Sequence, residues 1–175
     1  SDEERVKEEL KRILDEARRL LEESDEKLKR ILDELRERLK ESDERLKRIL
    51  DKVRKDGLPE EVLRRLEKLV REHHKRNREL LKRVEDYVKE HHDRNRRLLE
   101  DVEKKVRELE ELIDRGDLSS EELEKEVREL KKRLKKLIDE SDKNVKEAEK
   151  ELRELLRRSE EHVKELKKDA DRESK

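Results

Sequence analysis

A period of 18 residues runs through this chain, and it constrains the fold more than any other feature of the sequence. It is plainest in the middle, where VREHHKRNRELLKRVEDY at 70–87 is followed by VKEHHDRNRRLLEDVEKK at 88–105, with 11 of 18 positions identical. Near the start, LKRILDEARRLLEESDEK at 10–27 returns as LKRILDELRERLKESDER at 28–45, and the same text begins again at 46. Toward the end, Leu134, Leu137, Ser141 and Val145 map onto Leu152, Leu155, Ser159 and Val163. Eighteen residues make five turns at about 3.6 residues per turn, whereas a heptad repeat of about 3.5 winds helices into a left-handed supercoil. The period therefore predicts nearly straight helices.

The apolar residues fall on one helical face. In the first segment they are Val6, Leu10, Ile13, Ala17, Leu21, Leu28, Ile31, Leu35, Leu39, Leu46, Ile49 and Val53, in steps of three and four, with Ser24 and Ser42 standing where a Leu would be expected. The pattern breaks twice. Gly57 and Pro59 suit a left-handed residue after one helix and the first turn of the next. Gly116 ends the second helix, and Ser119 with Glu122 matches a capping box for the third, as Ser1 with Glu4 does for the first. The expected helices span residues 2–56, 59–114 and 119–172, with loops at 57–58 and 115–118. Helices of about 55 residues would each be about 80 Å long at 1.5 Å per residue, and such short turns join only antiparallel neighbours. The fold class is all-α, a single antiparallel up-down-up three-helix bundle over 1–175.

Charged residues make up 61% of the chain, against about 25% in ordinary proteins, which admits disorder, a lone solvated helix, or helices with a narrow apolar seam. The stripe and the two capped breaks select the last. Lys and Arg number 53 and Asp and Glu 54, interleaved throughout, so no basic patch is available for nucleic acid. There is no Cys for disulfide or thiolate chemistry. No apolar run approaches the ~20 residues that span a bilayer, and no signal peptide is recognisable, so the chain is expected to be soluble.

Folding the helices back on their turns brings the stripe's polar members together. If the first and second helices fold about a point between Gly57 and Leu58, residues at equal height have numbers summing to 115, and Ser42 faces His73 while Ser24 faces His91. If the second and third helices fold about Gly116, the sum is 232, and His73 faces Ser159 while His91 faces Ser141. On a helical wheel with Leu66 at zero, His73 lies at about −20°, Asn77 at about +20° and His74 near +80°. The expected buried network is therefore Ser24, His91, Asn95 and Ser141 at one height and Ser42, His73, Asn77 and Ser159 at the other. His74 and His92 flank it, and Asn144 and His162 lie at its edge. An unpaired buried donor or acceptor costs about 1 to 3 kcal/mol, so such layers penalise every register that separates their members.

Met, Phe, Trp and Cys are absent and Tyr87 is the only aromatic outside the His residues, whereas evolved cores use aromatics for their large buried area. Together with the repeat, the capped loops and the Ser, His and Asn layers, this resembles de novo designed helical bundles with modular buried hydrogen-bond networks. The resemblance covers the whole chain and implies a structural scaffold whose layers set helix register and pairing specificity, with no natural activity. The alternative is a subunit, or the parent, of a designed hetero- or homo-oligomer, pH-responsive through buried His.

Sharper chemistry is weaker in the residues. A helical Zn site pairs His at i and i+4, whereas these His are adjacent or 18 apart, so no metal and no cofactor is expected. Ser beside His suggests a hydrolase, but a triad also needs an orienting acid, an oxyanion hole and a pocket, and a packed three-helix seam supplies neither pocket nor strained turn, so the chain is expected not to be an enzyme. It is expected to need no partner and to be a monomer, with a designed helical partner as the alternative and neither nucleic acid nor membrane.

Overall fold

The computed structural model describes residues 2–173, in which three α-helices run Asp2–Lys55 (α1), Glu60–Arg115 (α2) and Ser120–Glu173 (α3). The architecture is an all-α three-helix bundle. Helix formation follows from local chemistry: the interiors hold neither Gly nor Pro, and carboxylates lead and cations close the helices. Exposed pairs one turn apart, such as Glu60 with Arg64 at 3.1 Å and Glu154 with Arg158 at 3.1 Å, add a few tenths of a kcal/mol each.

Both turns work as their Gly residues require. Gly57 and Gly116 sit at φ +67° and +70°, a conformation that costs an L side chain about 1 to 2 kcal/mol. The end of α2 is a Schellman motif, in which Gly116 N–H donates to Ile113 C=O at 3.0 Å and Asp117 N–H to Leu112 C=O at 3.1 Å. This motif carries α2 one residue past the expected 114. Asp56 joins the first turn, so α1 stops at Lys55. Pro59 and Ser119 act as caps rather than first helical residues: their carbonyls accept from Leu63 at 3.1 Å and Leu123 at 3.0 Å. Ser119 Oγ also accepts from Glu122 N–H at 3.2 Å. Leu58 and Leu118, one residue before each cap, pack on the neighbouring apolar clusters and set the entry angle of the chain. The expected cap at Ser1 lies outside the described residues.

Contacts divide the chain into two compact units, each containing a stretch of all three helices. The first comprises the residues up to Leu28 and Val88–Lys146, the second Lys29–Tyr87 and the residues from Glu147 onward. In the first, Leu10, Ile13 and Ala17 of α1 pack with Val106 and Leu109 of α2 and Leu130 of α3. In the second, Leu46, Leu50 and Val53 meet Leu66 and Val70 of α2 and Val163 and Leu166 of α3. The α1 stripe is wider than its sequence pattern: Leu32 and Leu50 are buried beside it, whereas Ile49 is half-buried. A helix touching two neighbours must bury a broader arc than a two-stranded seam.

The period also organises the surface. Arg18, Arg36 and Arg54, spaced 18 apart, reach Glu103 at 3.3 Å, Glu85 at 3.3 Å and Glu67 at 3.1 Å on α2. Each Arg also meets the Asp three residues before it: Asp15, Asp33 and Asp51.

Gly116→Ala should destabilise the protein by about 1 to 2 kcal/mol through backbone strain alone, since nothing lies within 4 Å of the added methyl group. The denaturant midpoint reads it, and a shift no larger than that of the exposed control Lys132→Ala would contradict this account of the turn.

Candidate functional site

Each unit holds one polar layer, built from one side chain of each helix. Ser24 of α1, His91 of α2 and Ser141 of α3 form the first, and Ser42, His73 and Ser159 the second; all six are buried. Asn77 and Asn95, one turn beyond the His residues on α2, are buried as well. Spacing dictates this placement: the polar residues recur every 18 positions within the apolar stripe, so the helix that buries Leu must bury them too.

In the first layer, His91 Nε2 lies 3.2 Å from Ser24 Oγ and 3.5 Å from Ser141 Oγ, and the two Ser hydroxyls are hydrogen-bonded to each other. Asn144, half-buried on α3, places its Nδ2 3.4 Å from His91 Nδ1. In the second layer, Ser42 Oγ lies 3.5 Å from His73 Nε2 and 2.9 Å from Ser159 Oγ. His73 makes no hydrogen bond with Ser159 among the described residues; the two only line a common cleft. The exposed His162, which repeats the position of Asn144, instead meets His73 edge-on, ring centroids 5.4 Å apart and planes at 68°.

Two carboxylates join the layers that sequence reasoning missed. Asp43 Oδ1 lies 2.7 Å from His74 Nδ1, and Asp25 Oδ2 lies 2.7 Å from His92 Nδ1. Asp25 Oδ1 also accepts from Asn95 Nδ2 at 3.1 Å. The signal was present as Ser24-Asp25 and Ser42-Asp43 opposite paired His residues. In antiparallel helices, one step forward on each turns both side chains toward the same flank of the seam, so Asp after Ser meets the second His of each pair.

The layers are not equivalent. Asn95 is satisfied by Asp25, but Asn77 Nδ2 finds no hydrogen-bond partner among the described residues. Asn77 borders a cleft of about 310 Å³ shared with Arg76, Arg83, Ser159 and His162. Among the described residues no group of three or more His, Asp or Glu is placed to hold a metal ion. Nor is a Ser–His–Asp relay assembled: the nitrogen of His91 turned away from the Ser pair faces an amide, and Asp25 serves His92 and Asn95. Among the described residues no helix is long and apolar enough to cross a membrane.

Burial depresses the basicity of both buried imidazoles. His73 is pushed down to about 4, first by desolvation and then by the neighbouring His162, against the opposing pull of Asp43 from α1. His74 and Arg76, on the same helix, add smaller repulsions. His91 is lowered chiefly by desolvation, with Asp25 opposing and Arg94 and His92 assisting.

No family model matches this chain, and no curated protein or solved structure matches it either.

A base with a lowered native pKa binds more protons when unfolded, so its contribution to stability is complete above about 6.5 and is lost as pH falls toward about 4. His73 alone should therefore remove about 2 kcal/mol of unfolding free energy between pH 7.5 and pH 5. Urea midpoints at the two pH values measure this, and the loss should shrink in His73→Leu. Equal losses in the variant and the parent would contradict the assignment to His73.

Proposed function

We propose that this protein is a designed structural scaffold without a natural biochemical activity, in which the buried Ser, His and Asn layers set the register of the helices and their choice of neighbour. The observation that carries this reading is the shared offset of the two layers. Ser24–His91 and Ser42–His73 pair at residue numbers summing to 115, and Ser24–Ser141 and Ser42–Ser159 both lie 117 apart. One alignment of three helices satisfies both layers. Leu against Leu along an 18-residue repeat carries no such information, because a slide of one repeat rebuilds the same apolar contacts. Polar layers of this kind contribute specificity rather than stability.

A non-catalytic role is supported by where the chemistry-bearing groups are spent. The Ser hydroxyls are bonded to one another within the core, and the carboxylates engage the flanking His residues instead of the buried ones. A monomeric scaffold is supported by the use already made of the apolar residues: among the described residues Leu69, at 41% exposure, is the large hydrophobic left open. The composition, free of Met, Phe, Trp and Cys, favours a designed origin.

The register role is tested by replacing Ser24, Ser42, Ser141 and Ser159 with Ala and His73 and His91 with Leu together. Well-packed apolar replacement should leave the denaturant midpoint equal or higher, while spin-label distances between α1 and α3 broaden into more than one population. A single sharp distance distribution identical to that of the parent would overturn the register reading. Light scattering on the parent at micromolar concentration should return the monomer mass of 21.6 kDa, and a multiple of it would favour assembly.

A further inference from the structure

The two layers are copies on α1 and α2, and on α3 they differ at one contacting position, where Asn144 is replaced by His162 one period later. That difference decides where the imidazole proton sits. An amide nitrogen carries only donors, so Asn144 Nδ2, 3.4 Å from His91 Nδ1, requires a lone pair on Nδ1. The ring proton then resides on Nε2, which points at Ser24 Oγ at 3.2 Å and, more distantly, at Ser141 Oγ at 3.5 Å. Each of these contacts is compatible with that one tautomer, and together they form a directed chain from Asn144 through His91 to the hydrogen-bonded Ser pair.

In the second layer no amide occupies the equivalent place. The rings of His162 and His73 meet in a T-shaped contact, and His73 Nδ1 makes no hydrogen bond among the described residues. The contact of His73 Nε2 with Ser42 Oγ, at 3.5 Å, suits either direction, because a hydroxyl donates as readily as it accepts. Asp43, which could orient the ring, is engaged by His74.

We infer that Asn144 is a positioning residue that locks His91 in the Nε2–H tautomer and so sets the direction of hydrogen bonding through the first layer, and that His162 in the matching position leaves His73 without such a lock. The assignment deepens the register reading above and rests on the same layers. It is separable from that reading in practice, because the tautomer can be measured in the parent chain whether the layers serve register or assembly.

The experiment is two-bond ¹H–¹⁵N correlation spectroscopy of the His rings in the intact chain at pH 7.5. His91 should show a protonated-type Nε2 and an unprotonated-type Nδ1, and His73 should show averaged shifts for both nitrogens. Asn144→Asp keeps the shape but replaces the donor by an acceptor, and it should move the His91 proton to Nδ1. His162→Asn should give His73 the pattern that His91 has in the parent. Helical circular dichroism establishes that each variant is folded, and Asn144→Leu, expected to give averaged His91 shifts, serves if the Asp variant is not. An Nδ1–H proton on His91 in the parent would overturn the inference. So would a His91 pattern that survives both substitutions at 144, or a His73 pattern unmoved by His162→Asn.

Discussion

What the structure depends on is the directionality of hydrogen bonds made where water is excluded. Apolar side chains accept any neighbour of suitable volume, and a seam of Leu, Ile and Val repeating every 18 residues offers several equivalent alignments. A buried hydroxyl or imidazole accepts few. Ser24, His91 and Ser141 satisfy one another only when all three stand at one height, and the same holds for Ser42, His73 and Ser159. Displacing any member leaves donors and acceptors in an apolar seam at a cost of about 1 to 3 kcal/mol each. On the register role proposed above, small polar clusters discriminate between arrangements that the far larger apolar contact cannot tell apart.

The surface agrees with the core. The ion pairs of Arg18, Arg36 and Arg54 with Glu103, Glu85 and Glu67 recur with the same numerical offset, so the register that satisfies the layers also satisfies the flank. Exposed pairs contribute little individually, and their value lies in pointing to the same alignment. Agreement between capping, turn conformation, apolar stripe, polar layers and surface charge is what separates one packed arrangement from its competitors. Agreement lapses at Asn77, whose buried Nδ2 finds no hydrogen-bond partner among the described residues although the residue lines a cleft.

Much of this is legible in the residues because it depends on periodicity and turn chemistry. Gly57 and Gly116 mark the reversals since only Gly takes a positive φ without strain, and reversals at known points convert residue numbers into heights. From heights and a wheel, the eight polar residues buried among the described residues can be named. Asp25 and Asp43 escape that reasoning because they sit off the stripe, at the flank, where equal height is not the criterion of contact. Ile49 and Leu50 exchange roles for a similar reason, since a helix with two neighbours buries an arc whose centre the stripe alone does not locate.

The sequence by itself determined three helices, their reversals and the heights at which polar groups would meet, because helix geometry converts spacing along the chain into position along an axis. Only the tertiary structure decided which atoms bond at those heights. Both His91 and its copy His73 meet a Ser hydroxyl, but His91 also finds an amide where His73 finds another ring, and Asn95 finds a carboxylate where Asn77 finds none. Spacing places a side chain to within a turn, whereas a hydrogen bond is decided by a few tenths of an ångström and by which neighbour on another helix has a donor free.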